Sequence, residues 1–165
     1  MARDPVLFEG WDWGTPRSGH PEGSVGAHVA DLLRTIDEWG ESGDRRRELR
    51  FLSLLHDALK FQVRGDRPKT GDNHHAARAR ALAETLTDDE RLLGVIEEHD
   101  RPYEIWRQLR RSGTFDEARF SEMLERVPDV DLFLRFVELD GSTEGKNPEP
   151  VDWFRDELRR RGRTG

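Results

Sequence analysis

Residues 53–60, SLLHDALK, place a histidine and an aspartate side by side at the end of an apolar run. This His-Asp doublet belongs to a helix predicted over residues 44–60, one face of which carries Leu52, Leu55, His56 and Leu59. Neighbouring side chains diverge by about 100° on a helix, but an ion seated between the two directions can still bind both. The doublet therefore indicates half of a metal site in a helical protein.

Four other polar side chains occupy the same inward positions as His56. His28, His75, His99 and Asp140 each continue an apolar stripe on a separate predicted helix. A lone histidine of this kind is typical of an ordinary hydrogen-bonded core residue, and Asp140 alone could cap a turn. Six such groups are costly to bury unless they share a partner, and one divalent cation can satisfy several at once.

The turn signals divide the chain into segments of helical length, and strand alternation is nowhere sustained. Ser24 is a predicted N-cap, Thr87 and Glu90 have capping-box spacing, and Asp72 or Asn73 can cap the helix that carries His75. We predict an all-α bundle of about seven or eight helices in one domain over residues 1–165. Its predicted parts are a leading loop (1–23), metal-site helices (24–145) and a C-terminal helix (149–162). The metal-site helices fall at about 24–39, 44–60, 72–86, 87–99, 102–113, 115–126 and 128–140.

Composition narrows the classes of function. The net charge of −7 disfavours binding to long nucleic acid, and the arginine clusters at 44–50 and 159–163 are interpreted as solvated helix surfaces. No apolar run approaches the roughly 18 to 20 residues of a membrane span, and the start of the chain lacks a signal-peptide pattern, so a cytoplasmic protein is expected. Without cysteine, a bound metal must use nitrogen and oxygen ligands, which favours Mn, Fe, Co, Ni or Zn over Mg.

The ordered set of His28, the doublet, His75, His99 and Asp140 resembles the HD-domain metal-dependent phosphohydrolases. LLHDALK (54–60) is similar to the family's LLHDIGK, with Lys60 at its lysine. GHPEGSVGAHVADLL (19–33) resembles the segment that opens the HD domain of bacterial tRNA nucleotidyltransferases, which adds His20 and Glu22. The resemblance covers about residues 20–145.

The resemblance implies that one metal is held by His28, His56, Asp57 and Asp140. His75 and His99 match positions that bind a second ion or contact substrate, and this choice stays open. His75 is preferred over His74 because it is in phase with the apolar stripe.

The implied activity is hydrolysis of a phosphate ester of a nucleotide, or of a similar small phosphorylated substrate, by metal-activated water. Asp57 and Lys60 are the candidate catalytic residues. The candidate substrate-binding residues are His20, Arg64, Arg67, Lys69 and Lys146, with Trp11, Trp13, Tyr103 and Trp106 as faces on which a nucleobase could stack. Two alternatives remain: an HD-type di-iron oxygenase, and a catalytically silent HD module that binds a nucleotide or protein. The oligomeric state is not predicted.

Overall fold

A computed structural model describes residues 5–163, and the helices in it confirm the all-α prediction. These residues form nine α-helices, two short 3₁₀ turns and no β-strand, with one isolated bridge joining Arg17 to His20. The helices are α1 Pro5–Asp12, α2 Val25–Glu38, α3 Gly43–Leu55, α4 His75–Ala83, α5 Glu90–Glu98, α6 Arg101–Ser112, α7 Glu117–Glu125, α8 Val130–Gly141 and α9 Glu149–Arg160. The 3₁₀ turns are Lys60–Gln62 and Gly71–Asn73. No helix within residues 5–163 has the length and apolar character needed to cross a membrane.

Helix α8 lies at the centre of the packing and contacts α2, α3, α5 and α9. Its buried side chains, among them Phe133 and Phe136, join a single core cluster with leucines from α2, α3 and α5. Other close pairs include α4 on α5, α2 on α3, α6 on α9 and α1 on α2. Of the helices that carry the predicted inward histidines, α2, α3 and α5 therefore meet around α8, and α4 packs on α5.

The predicted leading loop is wrong in part, because residues 5–12 form α1. The glycine and tryptophans of this segment resemble loop signals, yet Gly10 and Trp11 are the residues that dock the helix. A Cβ on Gly10 would lie 1.8 Å from the Ala58 carbonyl oxygen, so glycine permits the close approach. Trp11 Nε1 also donates to the Leu54 carbonyl at 3.0 Å. Residues 1–4 of the predicted loop lie outside the described residues.

The helix predicted over 44–60 is shorter than expected, since α3 ends at Leu55 and His56 is its C-cap. The chain then tightens, with i to i−3 hydrogen bonds from Ala58 to Leu55 and from Lys60 to Asp57. His56 and Asp57 consequently lie on a turn at the helix end rather than on a continuing helix. The tightened turn brings the adjacent imidazole and carboxylate to the same centre.

Two predicted helix starts are also wrong. Helix α4 is capped by His74 instead of Asp72 or Asn73, because the Asn73 side chain binds backbone groups of the 64–68 loop. Helix α5 is capped by Asp89, two residues after the predicted Thr87, whose hydroxyl accepts from the Asp89 amide. The Ser24 cap of α2 is confirmed by its bond to the Ala27 amide at 3.1 Å.

Candidate metal centre

The first candidate metal group joins His28 of α2 to His56 and Asp57 at the end of α3. All three side chains are buried, and they offer ligand atoms that lie within 4.8 Å of one another. His56 Nε2 lies 3.4 Å from Asp57 Oδ2. The rings of Phe136 and His56 pack in a T-shaped arrangement at a centroid distance of 5.2 Å.

Asp140, at the end of α8, adjoins this group. Its Oδ1 is 2.8 Å from His28 Nε2 and 3.7 Å from His56 Nε2. Burial would raise the pKa of the Asp140 carboxyl, but the charge of Lys146 and the bond to His28 bring that pKa well below its usual range. Asp140 is therefore an ionised carboxylate at the edge of the first group.

The second candidate metal group consists of Asp57, His75 and His99, and it shares Asp57 with the first. Asp57 Oδ1 lies 3.5 Å from Nε2 of both histidines, which are 3.4 Å apart at the same atoms. His74 is not part of this group, because its ring stacks on His75 and its Nε2 faces Glu104 at 3.9 Å. His75, which is in phase with the apolar residues of its helix, is therefore the one of the two histidines that belongs to the group with Asp57.

The hydrogen bonds of two histidines fit a metal site. His99 Nδ1 donates to the Ile96 carbonyl at 2.8 Å, and His56 Nδ1 faces the Leu52 and Ser53 carbonyls at 3.2 Å each. A main-chain carbonyl only accepts, so in the neutral form of each ring, which is the form that binds a metal, the proton is on Nδ1 and the lone pair of Nε2 points into the centre. This is the arrangement in which imidazole binds a metal.

Three buried atoms of the centre lack the hydrogen-bond partners that burial demands. Within the described residues 5–163, these are His28 Nδ1, His56 Nε2 and Asp57 Oδ1. A buried polar atom without a partner costs about 1–3 kcal/mol, and more when it is charged. A divalent cation bound by these atoms would remove that cost, so the residues present fit a metal ion.

The centre is strongly polarised. Burial would raise the pKa of the Asp57 carboxyl, but Lys60, whose Nζ is 2.5 Å from Oδ2, brings it well below its usual range. The pKa of Lys60 is raised in turn, because Asp57 and Asp100 outweigh its burial. Burial would lower the pKa of His99, but Asp100 and Asp57 raise it to about 9. The metal-free centre therefore holds a proton on His99.

Sequence reasoning did not identify Asp100 as a site residue. Asp100 Oδ2 is 3.0 Å from His75 Nε2, and Oδ1 is 3.7 Å from His99 Nε2. Residues 99–100 repeat the His-Asp doublet of 56–57, which is a signal that could have revealed it. Glu22, by contrast, entered with the resemblance, and its Oε1 lies 3.1 Å from His20 Nδ1 and 3.3 Å from His28 Nδ1.

Two cavities open beside the centre, one on each side of Lys60 and Asp100, which line both. The Tyr103 cavity, of about 460 Å³, is also lined by Ser18, Gly19, His20, His99, Pro102, Tyr103, Val137, Asp140, Gly141, Gly145, Lys146, Asn147, Pro150 and Val151. The Trp13 cavity, of about 750 Å³, is also lined by Trp13, Gly14, Thr15, Arg17, Val63, Lys69, His74, His75 and Glu104. Each has the size of a small-molecule site.

The predicted substrate-binding residues divide into two sets. His20 and Lys146 line the Tyr103 cavity, and Lys69 lines the Trp13 cavity. Arg64 and Arg67 line neither cavity, because they pair within their own loop, with Asp66 at 2.7 Å and Asp72 at 3.9 Å.

The aromatic residues that were predicted to stack on a nucleobase also fall into two sets: some line a cavity and the others do not. Trp13 and Tyr103 line the two cavities. Trp11 is held by its bond to the Leu54 carbonyl, and the Trp106 ring stacks under Tyr103.

Fold and site together define an all-α protein whose buried histidines and aspartate can hold a metal ion. No protein-family model, curated protein or solved structure matches this chain. The resemblance to HD-domain phosphohydrolases stays a prediction, and the functional interpretation depends on the geometry of the site.

Proposed function

We propose that this protein is a metal-dependent phosphohydrolase that cleaves a phosphate ester of a nucleotide or a similar small phosphorylated substrate. The observation that carries the proposal is the position of Lys60. Its ammonium group contacts Asp57, the carboxylate common to both candidate metal groups, and it lines both cavities. A fixed cation beside a metal group at the opening of a cavity is suited to a phosphoryl group.

A divalent cation bound by these residues would acidify a water molecule and polarise a phosphoryl oxygen. The protein's own residues supply the rest. Lys60 faces the charge that develops on the phosphoryl oxygens, and Lys146 adds a second cation across the Tyr103 cavity. Asp57 belongs to both groups and is held ionised, so it can accept a hydrogen bond from a water molecule and orient it.

A di-iron oxygenase is the second candidate, because two histidine groups that share one carboxylate also suit a pair of iron ions. The lysines that surround the cavities favour the phosphohydrolase, since an oxygenase has no general need of cations at its entrance. Iron content and oxygen consumption separate the two. Two equivalents of iron with substrate-dependent oxygen uptake would establish the oxygenase.

The test begins with elemental analysis of protein purified without added metal. A screen of nucleoside mono-, di- and cyclic phosphates then follows phosphate or nucleoside release. His56→Ala and Asp57→Ala should each lower the rate by more than about 100-fold, because loss of an outer-shell partner alone costs about 10- to 100-fold. Arg64→Ala is the matched control, since its side chain pairs with Asp66 outside both cavities. Unchanged phosphate release in the two site variants would refute the proposal.

A further inference from the structure

The centre lies between its two cavities rather than at the bottom of one. His99 and Asp140 line the Tyr103 cavity, whereas His75 lines the Trp13 cavity. Lys60 lines both, and with Asp57 and His28 it also lines a third, narrow cavity of about 10 Å³. A phosphorus atom bound beside Lys60 therefore has a separate cavity on either side.

The Tyr103 cavity is suited to an organic group with a flat ring. Tyr103 is 48% exposed, and its ring is held in place by stacking on Trp106. Pro102, Val137 and Pro150 add apolar walls, while the amide of Asn147 offers hydrogen bonds. An aromatic face with adjacent apolar and polar groups is the usual surround of a base and sugar.

The Trp13 cavity is suited to an anionic group. Arg17, Lys60 and Lys69 line it, and Lys69 and Arg17 are exposed. Glu104, one of the two acids in its wall, is already neutralised by Arg119 at 2.5 Å and Arg101 at 3.2 Å. The other acid, Asp100, faces His75. The exposed side chains of Arg17 and Lys69 therefore remain available to a phosphate group, whereas Lys60 is paired with Asp57.

We infer that the substrate has two arms on the scissile phosphorus: a nucleoside in the Tyr103 cavity and an anionic, phosphate-bearing group in the Trp13 cavity. This inference rests on the proposed function and deepens it, because a phosphomonoester would leave one cavity empty. Hydrolysis forms a bond from the water oxygen to the central phosphorus and breaks the P–O bond to the anionic arm. The electron pair leaves with that arm, and one water proton passes to a carboxylate and then to solvent.

The experiment compares three thymidine compounds on the metal-loaded protein. Thymidine 5′-monophosphate has one arm, its p-nitrophenyl ester has a second arm that is uncharged, and thymidine 5′-diphosphate has a second arm that is anionic. We expect kcat/KM to be highest for the diphosphate and lowest for the monophosphate. In H₂¹⁸O, attack at the central phosphorus places ¹⁸O in the thymidine monophosphate. Appearance of ¹⁸O in the inorganic phosphate, or a preference for the monophosphate, would overturn the inference.

Charge removal in the Trp13 cavity gives a second, independent readout. The double variant Arg17→Gln, Lys69→Gln should lower kcat/KM for the diphosphate at least about tenfold more than for the p-nitrophenyl ester. The affinity for the α,β-methylene analogue, measured by calorimetry, should fall by a similar factor. Arg64→Gln, an exposed arginine outside both cavities, should change neither ratio. Equal losses for the two substrates would overturn the assignment of the anionic arm.

The two proposals fail in different ways. Hydrolysis of monoesters alone would refute the two-armed substrate while leaving a phosphohydrolase in place. Absence of hydrolysis for all three compounds and for the wider ester screen would refute the phosphohydrolase itself.

Discussion

The metal-free protein should lose stability between pH 6.5 and 9 because of His99. Burial opposes the charge on this imidazole, yet Asp100 and Asp57 raise its pKa to about 9 from the usual 6.5. The folded state therefore retains a proton that the unfolded chain releases near pH 6.5. The stabilisation by this proton is complete below pH 6.5 and is lost as the pH rises through 9.

The expected loss is large for one residue. The pKa differs by about 2.5 between the two states, and each unit corresponds to about 1.4 kcal/mol, so the free energy of unfolding should fall by on the order of 3 kcal/mol. The neighbouring His75 does not cancel this effect, because burial lowers its pKa and confines its contribution to pH values below 6.5.

Urea denaturation at a series of pH values, with a chelator present, measures the effect directly. His99→Gln should remove most of the decline, whereas His74→Gln, whose ring faces Glu104, should retain it. Saturation with metal should also flatten the curve, since a cation on Nε2 replaces the proton. A metal-free protein whose stability is constant from pH 6.5 to 9 would refute the electrostatic description of the centre.

Three further outcomes are expected. Saturating metal at about 100 times its dissociation constant should add about 2.7 kcal/mol to the free energy of unfolding, and a chelator should reverse the resulting rise in Tm. Gly10→Ala should destabilise the fold by about 1–3 kcal/mol in chemical denaturation, because its Cβ meets the Ala58 carbonyl, whereas Gly65→Ala, with open space around it, should not. Phe136→Ala should cost about 3–5 kcal/mol and also weaken metal binding measured by titration, since its ring packs on His56.

Helical periodicity was sufficient to predict which histidines face the interior. His28, His56, His75 and His99 continue apolar stripes, and a stripe that faces the core carries its polar members inward with it. Because α2, α3, α4 and α5 pack against one another or on α8, these side chains converge. The helical periodicity of the apolar residues therefore predicted most of the residues in the candidate site.

The features that were missed depend on tertiary contacts. Helix α1 is held by Gly10 against Ala58 and by Trp11 against Leu54, partners more than 40 residues away that no local pattern indicates. The end of α3 was misplaced because helical spacing continues through Leu59 even though the backbone tightens after Leu55.

The prediction of substrate-binding cations failed in part for the same reason, because it too depends on the three-dimensional structure. Arg64 and Lys69 both occur in a polar loop, and their sequence neighbours do not distinguish them. In the structure Arg64 is paired with Asp66, whereas Lys69 lines the Trp13 cavity. The loop conformation decides which basic side chains form local ion pairs. Amino-acid composition does not determine that conformation.

The polar centre is better explained by function than by folding. A core of leucines and phenylalanines already surrounds α8, and apolar residues at His56 and Asp57 would fill the same space without desolvating a charge. Instead, the buried atoms without a hydrogen-bond partner in residues 5–163 include Nε2 of His56 and Oδ1 of Asp57. Both point into the candidate metal groups, at the place where Lys60 and two cavities give access from solvent. Unpaired buried atoms that can bind an ion, beside an opening to solvent, are the feature that the proposed metal-dependent active site accounts for.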